Sequence, residues 1–172
     1  MPHILSLQEV NALDPAAFEA HLGHVFEHAP WVTRRAATRR PFASRDALHR
    51  AMLDAIAAAE ATEQLGLLRG HPDLAGKAAI GGDLTADSRR EQHGAGLDRL
   101  TPAEYERFHA LNRRYQEKFG FPFILAVKGK SKDDILAAFQ ARIDRAPDAE
   151  FGEALEQVGR IAAFRLADLV AA

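Results

Sequence analysis

Apolar residues recur three and four positions apart along most of this chain. Between Asn11 and Pro30, for example, this spacing relates Phe18, Leu22 and Phe26. Residues spaced in this way share one face of an α-helix, so the pattern predicts a first helix there. The same pattern predicts further helices over about 45–60, 63–69, 102–118, 132–145 and 149–170, and a short polar one after residue 85. The sequence therefore predicts an all-α fold: one compact domain, 1–172, of about seven or eight helices, interrupted by one irregular loop.

The predicted helices begin at residues that favour helix starts. The clearest start is Thr101-Pro102-Ala103-Glu104, a capping box with proline at the first helical position. Side chains that accept a hydrogen bond from a first-turn amide mark the other starts. These predicted caps are Asp14, Ser44, Thr62, Thr85 and Ser131. Gly70 and Gly120 are predicted to end helices, because glycine is common directly after a helix.

Two stretches depart from the helical pattern. Phe121 to Val127 is apolar and follows Gly120, which predicts an extended segment that crosses the core and presents backbone amides to a ligand. His71 to Leu97 begins with a His-Pro pair and has no apolar periodicity in its first half. Long irregular segments in compact domains are usually functional or disordered, so this stretch is interpreted as an active-site loop.

Composition removes several classes of function. Lys plus Arg number 22 and Asp plus Glu number 24, which gives a net charge of −2 and argues against a general electrostatic grip on nucleic acid. The absence of cysteine excludes disulfides, thiolate metal sites and cysteine nucleophiles. The chain has no apolar run of 18 residues and no signal-like start, so the sequence predicts a soluble cytoplasmic protein without a membrane span.

The loop and the helix after it carry groups that transfer protons or bind polar ligands. His71 follows a helix end, and Pro72 restricts the turn, which would hold the imidazole in a fixed direction for general acid–base work. Ser88, Glu91 and Gln92 stand at i, i+3 and i+4 and are predicted to share one helix face. The plainer interpretation is a histidine that fills a turn beside a solvated helix face, and spacing alone leaves both open.

Arg165 falls on the apolar stripe of the last predicted helix, four residues after Ile161 and four before Leu169. A buried arginine requires partners for its charge. Either it forms a structural ion pair, or its guanidinium grips an anionic or carbonyl-rich substrate. The sequence leaves these two alternatives open.

His21, His24 and His28 are spaced three and four apart in the first predicted helix. Such spacing can place three imidazoles on one helix side and bind a metal. A solvated histidine-rich face is the favoured interpretation, because no fourth ligand stands out, and no metal site is predicted.

Four ordered motifs, HPDLAGKA, LTADSRREQHGAGL, YQEKFGFPFILAVKG and ALEQVGRIAAFRLADL, together resemble the OHCU decarboxylase family. OHCU is 2-oxo-4-hydroxy-4-carboxy-5-ureidoimidazoline, a late intermediate of urate breakdown that the family converts to (S)-allantoin. The resemblance extends over nearly the whole chain, since APWV and RPF near residues 29–42 also fit. It implies an all-helical carboxy-lyase, often a homodimer, with a small-molecule substrate and no metal or organic cofactor.

The resemblance also implies roles for individual residues. His71 is the expected catalytic histidine, and Glu91 is expected to act beside it. The residues expected to bind substrate come from the four motifs. They are Pro72, Ser88, Gln92, Phe123, Ile124, Leu125, Ala126, Val127 and Arg165.

Two other functions compete with this interpretation. One is a catalytically silent helical binding module, which loss of His71 or Glu91 would indicate, although both are present. The other is a metal-dependent enzyme that uses His21, His24 and His28. Metal analysis, or activity that survives a chelator, separates these possibilities.

Overall fold

The computed structural model describes residues 3–76 and 83–172. Within these two ranges the chain forms nine α-helices and one short 3₁₀ helix, Gly23–Val25, and no β-strand, while Leu5 and Val170 form a single β-bridge. The helices are α1 Leu7–Ala12, α2 Pro15–Leu22, α3 Pro30–Ala37, α4 Arg45–Ala57, α5 Ala61–Arg69, α6 Ala86–Gly94, α7 Pro102–Phe119, α8 Lys132–Ile143 and α9 Pro147–Leu169.

Local sequence explains where most of these helices begin. The Thr101 hydroxyl accepts a hydrogen bond from the Glu104 amide and the Glu104 carboxylate accepts one from the Thr101 amide, which completes the predicted capping box of α7. Asp14, Ser44, Thr85 and Ser131 also cap helices as predicted. Gly120 ends α7 with φ 78°, a left-handed conformation that glycine adopts without strain.

Two details of the predicted helices are wrong. The first predicted helix does not run from Asn11 to Pro30: α2 ends at Leu22, a 3₁₀ turn follows, and His28 has φ 52°. The predicted Thr62 cap is also wrong, because α5 begins at Ala61 and Glu60 is its N-cap. The Glu63 carboxylate accepts a hydrogen bond from the Glu60 amide at 3.1 Å, which stabilises the helix start at this earlier position.

The described residues divide into two compact units. The first unit comprises residues up to Gly70 together with Gly159–Ala172. Its core contains apolar side chains from α2, α3, α4 and the end of α9, which are fully or almost fully buried. These include Phe18, Leu22, Val32, Leu48, Met52, Ala162 and Leu166.

The second unit comprises His71–Val158. Its core is aromatic: Tyr115 of α7 contacts several phenylalanine rings, and Phe123 stacks on Phe139 of α8 with ring centroids 3.9 Å apart. All seven residues of 121–127 are buried, so the predicted extended apolar segment crossing this core is confirmed.

The predicted all-α class is confirmed, since eight of the nine described α-helices have seven or more residues. The assignment of 1–172 to one domain stays a prediction. In the described part of the chain, no helix combines the length and the apolar character that a membrane crossing requires.

Candidate active site

His71 lies two residues beyond the end of α5 and opens a tight loop, His71–Gly76. Its side chain is buried, with the residue 8% exposed. Residues 77–82 of the predicted active-site loop, including the Lys77-Ala78 end of the HPDLAGKA motif, lie outside the described residues. The described part of the loop therefore carries an enclosed imidazole, which suits directed proton transfer.

The loop backbone is tightly folded. Ala75 has φ 53°, a left-handed conformation that costs free energy for a residue with a Cβ. At Gly76, a Cβ would lie 2.7 Å from the Cβ of Asp73, a distance that real side chains do not tolerate. Glycine is therefore required at this position for the loop to close on itself.

Side chains from two helices hold the loop in this conformation. The Gln92 Oε1 of α6 accepts a hydrogen bond from the Ala75 amide at 2.9 Å, and its Nε2 donates to the Asp73 carbonyl at 3.1 Å. The Asn112 Nδ2 of α7 donates to the Leu74 carbonyl at 2.8 Å. Together these bonds engage backbone groups of three consecutive residues, Asp73, Leu74 and Ala75, immediately after the His71-Pro72 pair.

Asp73 adds a carboxyl group to this loop. Burial raises the pKa of Asp73 above its ordinary value, while a hydrogen bond from the Gln116 amide nitrogen and the nearby His109 oppose that rise. The carboxyl group is thus held in an environment that favours its neutral form more than water does. Asp73 was not among the residues that the sequence predicted for the site.

The polar face predicted for the short helix is present on α6. Ser88 and Gln92 are buried and Glu91 is half-buried, so the three face the interior to different degrees. Gln92 links this face directly to the His71 loop through the two hydrogen bonds above. The site predictions for Ser88, Glu91 and Gln92 therefore fall in the same compact unit as His71.

The extended segment 121–127 is held by a buried ionic cluster of Tyr115, Arg142 and Glu150. Arg142 Nη1 donates to the Ile124 carbonyl at 2.6 Å, and Arg142 Nε donates to Glu150 Oε1 at 2.7 Å. The Tyr115 hydroxyl donates to the same Glu150 oxygen at 2.5 Å. Burial and the neighbouring Glu150 carboxylate raise the pKa of Tyr115, so its hydroxyl stays protonated and continues to donate.

The backbone amides of this segment were expected to be presented to a ligand. At Ala126 the amide instead donates to Gln157 Oε1 of α9 at 3.0 Å, so that amide is already engaged by the protein. Gln157 in turn donates from Nε2 to Glu153 at 2.9 Å. The side chains of Phe123, Ile124, Leu125, Ala126 and Val127 are all buried in the second unit.

Arg165 has the structural partner that its buried position requires. Its Nη2 donates to Glu27 Oε1 at 3.0 Å, and its Nη1 lies 3.3 Å from the Val25 carbonyl oxygen. Both charged residues are buried, at 5% and 3% exposure. The ion pair predicted as one alternative is therefore formed, and it lies within the first unit. A substrate-binding role for Arg165 stays a prediction.

The three histidines proposed for a metal do not form one helix face. His21 lies in α2, His24 lies in the 3₁₀ turn, and His28 follows that turn with positive φ. Across residues 3–76 and 83–172, no group of three or more His, Asp or Glu side chains is arranged to hold a metal ion.

Sequence reasoning missed two of the residues that hold these segments: Asn112, which binds the loop beside Gln92, and Arg142, which binds the extended segment. Asn112 lies on the apolar stripe of α7, four residues after Phe108 and three before Tyr115. Arg142 likewise lies on the apolar stripe of α8, three residues after Phe139. A polar residue on an apolar stripe is the signal that singled out Arg165, and the same signal would have identified both.

The fold and the loop define an all-helical protein in which a buried histidine is carried by a loop fixed through side-chain carboxamides. A family model described as OHCU decarboxylase matches residues 11–167. The chain belongs to the OHCU decarboxylase family. The family predicted from the motifs is thereby confirmed, and so is the class of enzyme, a carboxy-lyase with a small-molecule substrate.

Individual relatives agree with this assignment. The 2-oxo-4-hydroxy-4-carboxy-5-ureidoimidazoline decarboxylase of Haloferax volcanii is 45% identical over 166 residues, which are 96% of each chain. The uric acid degradation bifunctional protein of Bacillus subtilis is 44% identical over 97% of this chain, which spans 33% of that protein. The crystal structure of (S)-allantoin synthase matches 96% of this chain with a TM-score of 0.78 and 30% identity, and this chain spans 54% of that one.

Proposed function

We propose that this chain decarboxylates OHCU to (S)-allantoin in urate breakdown, with His71 as general acid–base and without a metal or organic cofactor. Membership of the family supports the reaction, and the predicted function is confirmed to that extent. The roles of individual residues are the further content of the proposal. The observation that carries them is the buried His71 on a loop that Gln92 joins to the polar face of α6.

The substrate itself explains why no cofactor is needed. In OHCU the carbon that bears the carboxylate also bears a hydroxyl group and is bonded to an imine carbon. When the bond to the carboxylate breaks, carbon dioxide leaves and the electron pair passes toward the imine nitrogen, which takes up a proton. The hydroxyl group then loses its proton and becomes the carbonyl of allantoin, while the neighbouring carbon gains a proton on one face. One proton is consumed for each carboxylate lost.

These proton movements define the roles in the site. His71 serves the hydroxyl group and the incoming proton, because a buried imidazole with a fixed direction is suited to both steps. Glu91 orients the ring or ureido N–H groups and sets the charge of the site. Ser88 and Gln92 bind polar groups of the substrate, Pro72 and residues 123–127 line its pocket, and Arg165 holds its ring oxygens or carboxylate.

The rate follows from positioning as well as from proton transfer. A positioned acid–base group typically contributes ~10²–10⁴-fold to a rate. A loop and a buried segment that the protein holds by hydrogen bonds add the benefit of orientation. Addition of the proton from a fixed direction also produces a single enantiomer.

The test is circular dichroism of allantoin formation. Urate is oxidised and hydrolysed in situ by urate oxidase and hydroxyisourate hydrolase, with and without this protein. We expect rapid appearance of the (S)-allantoin signal with the protein and a loss of at least ~10²-fold in rate with His71→Asn. An unchanged rate in a folded His71→Asn protein would refute the catalytic role, and a trace equal to the uncatalysed one would refute the reaction.

A matched control separates this proposal from the metal-dependent alternative. His21→Asn makes the same chemical change at an exposed histidine of α2, and we expect the wild-type rate. The wild-type protein is also assayed after dialysis against a chelator. A rate that falls after dialysis, or in His21→Asn, would favour metal dependence through the histidines of residues 21–28.

The quaternary state and the location are also part of the proposal. The family resemblance supports a homodimer. The cytoplasmic location is the expectation from the sequence, and the net charge of −2 argues against a nucleic-acid partner. Light scattering coupled to size-exclusion chromatography measures the mass directly. A mass near twice 18.9 kDa is expected, and a mass equal to one chain would refute the dimer.

A further inference from the structure

Three hydrogen bonds from side-chain carboxamides reach the loop backbone just after the His71-Pro72 pair. Asn112 contributes one of them through Nδ2, which donates to the Leu74 carbonyl at 2.8 Å. Gln92 contributes two, and both its polar atoms are engaged with the loop. These two carboxamides come from different helices, α7 and α6, so the loop is held from two directions.

Asn112 occupies a position where an apolar side chain would be expected. It is 4% exposed, and its neighbours on the stripe of α7, Phe108 and Tyr115, are fully buried. A buried carboxamide costs free energy unless its polar atoms are satisfied. The bond from its Nδ2 to the Leu74 carbonyl offsets part of this cost, whereas its Oδ1 has no hydrogen-bond partner among the described residues.

The loop requires outside support to keep its conformation. Ala75 has a left-handed φ of 53°, and such a backbone persists only where the surroundings impose it. The Ala75 amide donates a hydrogen bond to Gln92, and the Leu74 carbonyl just before it accepts one from Asn112. The two carboxamides therefore act on the strained part of the loop, a few residues from His71.

We propose that Asn112 is a positioning residue for His71, and that Gln92 shares this role beside any contact with substrate. By fixing the carbonyl and amide groups of residues 73–75, the two side chains keep the loop folded and hold the imidazole in one direction. The inference rests on the proposed catalytic role of His71. It predicts that Asn112 affects turnover through the orientation of His71, without touching the substrate.

The test substitutes Asn112→Leu, which keeps a similar volume and removes the donor. We expect kcat to fall about 10- to 100-fold, because small misplacements of reacting groups have effects of this size, with KM changed less than about twofold. We also expect the imidazole resonances of His71 to shift in NMR spectra, where His71→Asn identifies them by their loss. If the leucine variant does not fold, Asn112→Ala, which only removes atoms, takes its place.

Asn11→Leu is the matched control. Asn11 is also a carboxamide that holds backbone: its Nδ2 donates to the Phe42 carbonyl at 2.9 Å and its Oδ1 accepts from the Phe42 amide at 2.8 Å. It belongs to the first unit, whereas Asn112 belongs to the second. We expect Asn11→Leu to leave kcat and the His71 resonances unchanged, even where it lowers the melting temperature.

Two results would overturn the inference. One is unchanged kcat and unchanged His71 resonances in Asn112→Leu; the other is a lower kcat and melting temperature with unchanged His71 resonances, which indicates a merely structural residue. Failure of the catalytic proposal gives a different result. In that case His71→Asn keeps the wild-type rate, while the NMR comparison still reports whether Asn112 orients the ring.

Discussion

The Arg165 guanidinium of the last helix lies 3.0 Å from the carboxylate of Glu27, and both side chains are almost wholly buried. Two residues that are 138 positions apart in the sequence are thus each other's counter-ion within the first unit. Two further backbone carbonyls, of His24 and Val25, lie near Arg165 Nη1. Any substrate contact that Arg165 makes is therefore made by a guanidinium whose direction the protein already fixes.

Glu27→Gln tests how much this ion pair contributes to the stability of the fold. The substitution keeps the shape of the side chain and leaves the arginine charge buried without its counter-ion. Breaking a buried pair in this way typically costs ~3–5 kcal/mol, so we expect the free energy of unfolding to fall by about that amount. Urea unfolding followed by circular dichroism measures it.

Glu19→Gln is the control for Glu27→Gln. Glu19 pairs with Arg34 at 2.8 Å, but this pair is at the surface, where water screens the charges. We expect a much smaller loss than for Glu27→Gln. If both variants lost the same free energy of unfolding, burial would not be what makes the Glu27–Arg165 pair stabilising.

Tyr115→Phe tests the ionic cluster under the extended segment. The Tyr115 hydroxyl donates to Glu150, which also accepts from Arg142, so its removal leaves a buried carboxylate with one donor fewer. Hydrogen bonds to charged groups are worth ~1.5–3 kcal/mol, and we expect a loss of that size in urea unfolding. Tyr105→Phe, at a half-buried tyrosine that stacks on His109, is the control and should change stability by less than about 0.5 kcal/mol. If both variants unfold at the same urea concentration, the cluster does not stabilise the fold.

Helix starts were readable from the sequence because capping is local. Thr101 and Glu104 are three residues apart, and the structure forms the bonds that this spacing implies. One helix that the pattern did not predict, α1, has the same signal: Ser6 and Glu9 form a capping box. It was missed because the helix is only six residues long and buries a single side chain, Val10, so no apolar stripe marks it.

The partners of buried polar residues were not readable, because they are distant along the chain. Spacing showed that Arg165 falls on an apolar stripe, but no pattern in the neighbouring sequence identifies Glu27 as its partner. Asn112 and Leu74 are 38 residues apart, and Arg142 and Ile124 are 18 apart. Residue patterns therefore indicate which side chains are buried, whereas the fold decides which groups they hold.

The capping box of α7 gives a prediction of pH dependence. Hydrogen bonds from Lys132, and from the Thr101 amide and hydroxyl group, lower the pKa of Glu104 from 4.5 to about 2. Because this pKa is lower in the folded state, the charged carboxylate stabilises the fold above pH 4.5, and that contribution is lost as the pH falls toward 2. We expect Glu104→Gln to lower the melting temperature at pH 7, and the difference from wild type to shrink as the pH falls from 5 to 3.

Glu106→Gln is the control for this pH series. Glu106 is exposed on the same helix, two residues beyond the box. Its melting temperature should follow the wild-type curve across the series. A Glu104→Gln difference that stayed constant between pH 5 and 3 would show that the lowered pKa does not govern this part of the stability.

Gly76→Ala tests whether the folded loop is needed for activity. A Cβ at Gly76 would lie 2.7 Å from the Asp73 Cβ, and Asp73 resists displacement because Gln92 binds its carbonyl. Overpacking of this kind costs ~1–3 kcal/mol, and we expect that loss of stability together with a lower rate of allantoin formation. The same change at Gly66, an exposed position of α5 with nothing within 4 Å of the added atom, should instead stabilise by about 0.5–1 kcal/mol and leave the rate unchanged. A Gly76→Ala protein as active as the Gly66→Ala protein would mean that the loop adapts without moving His71.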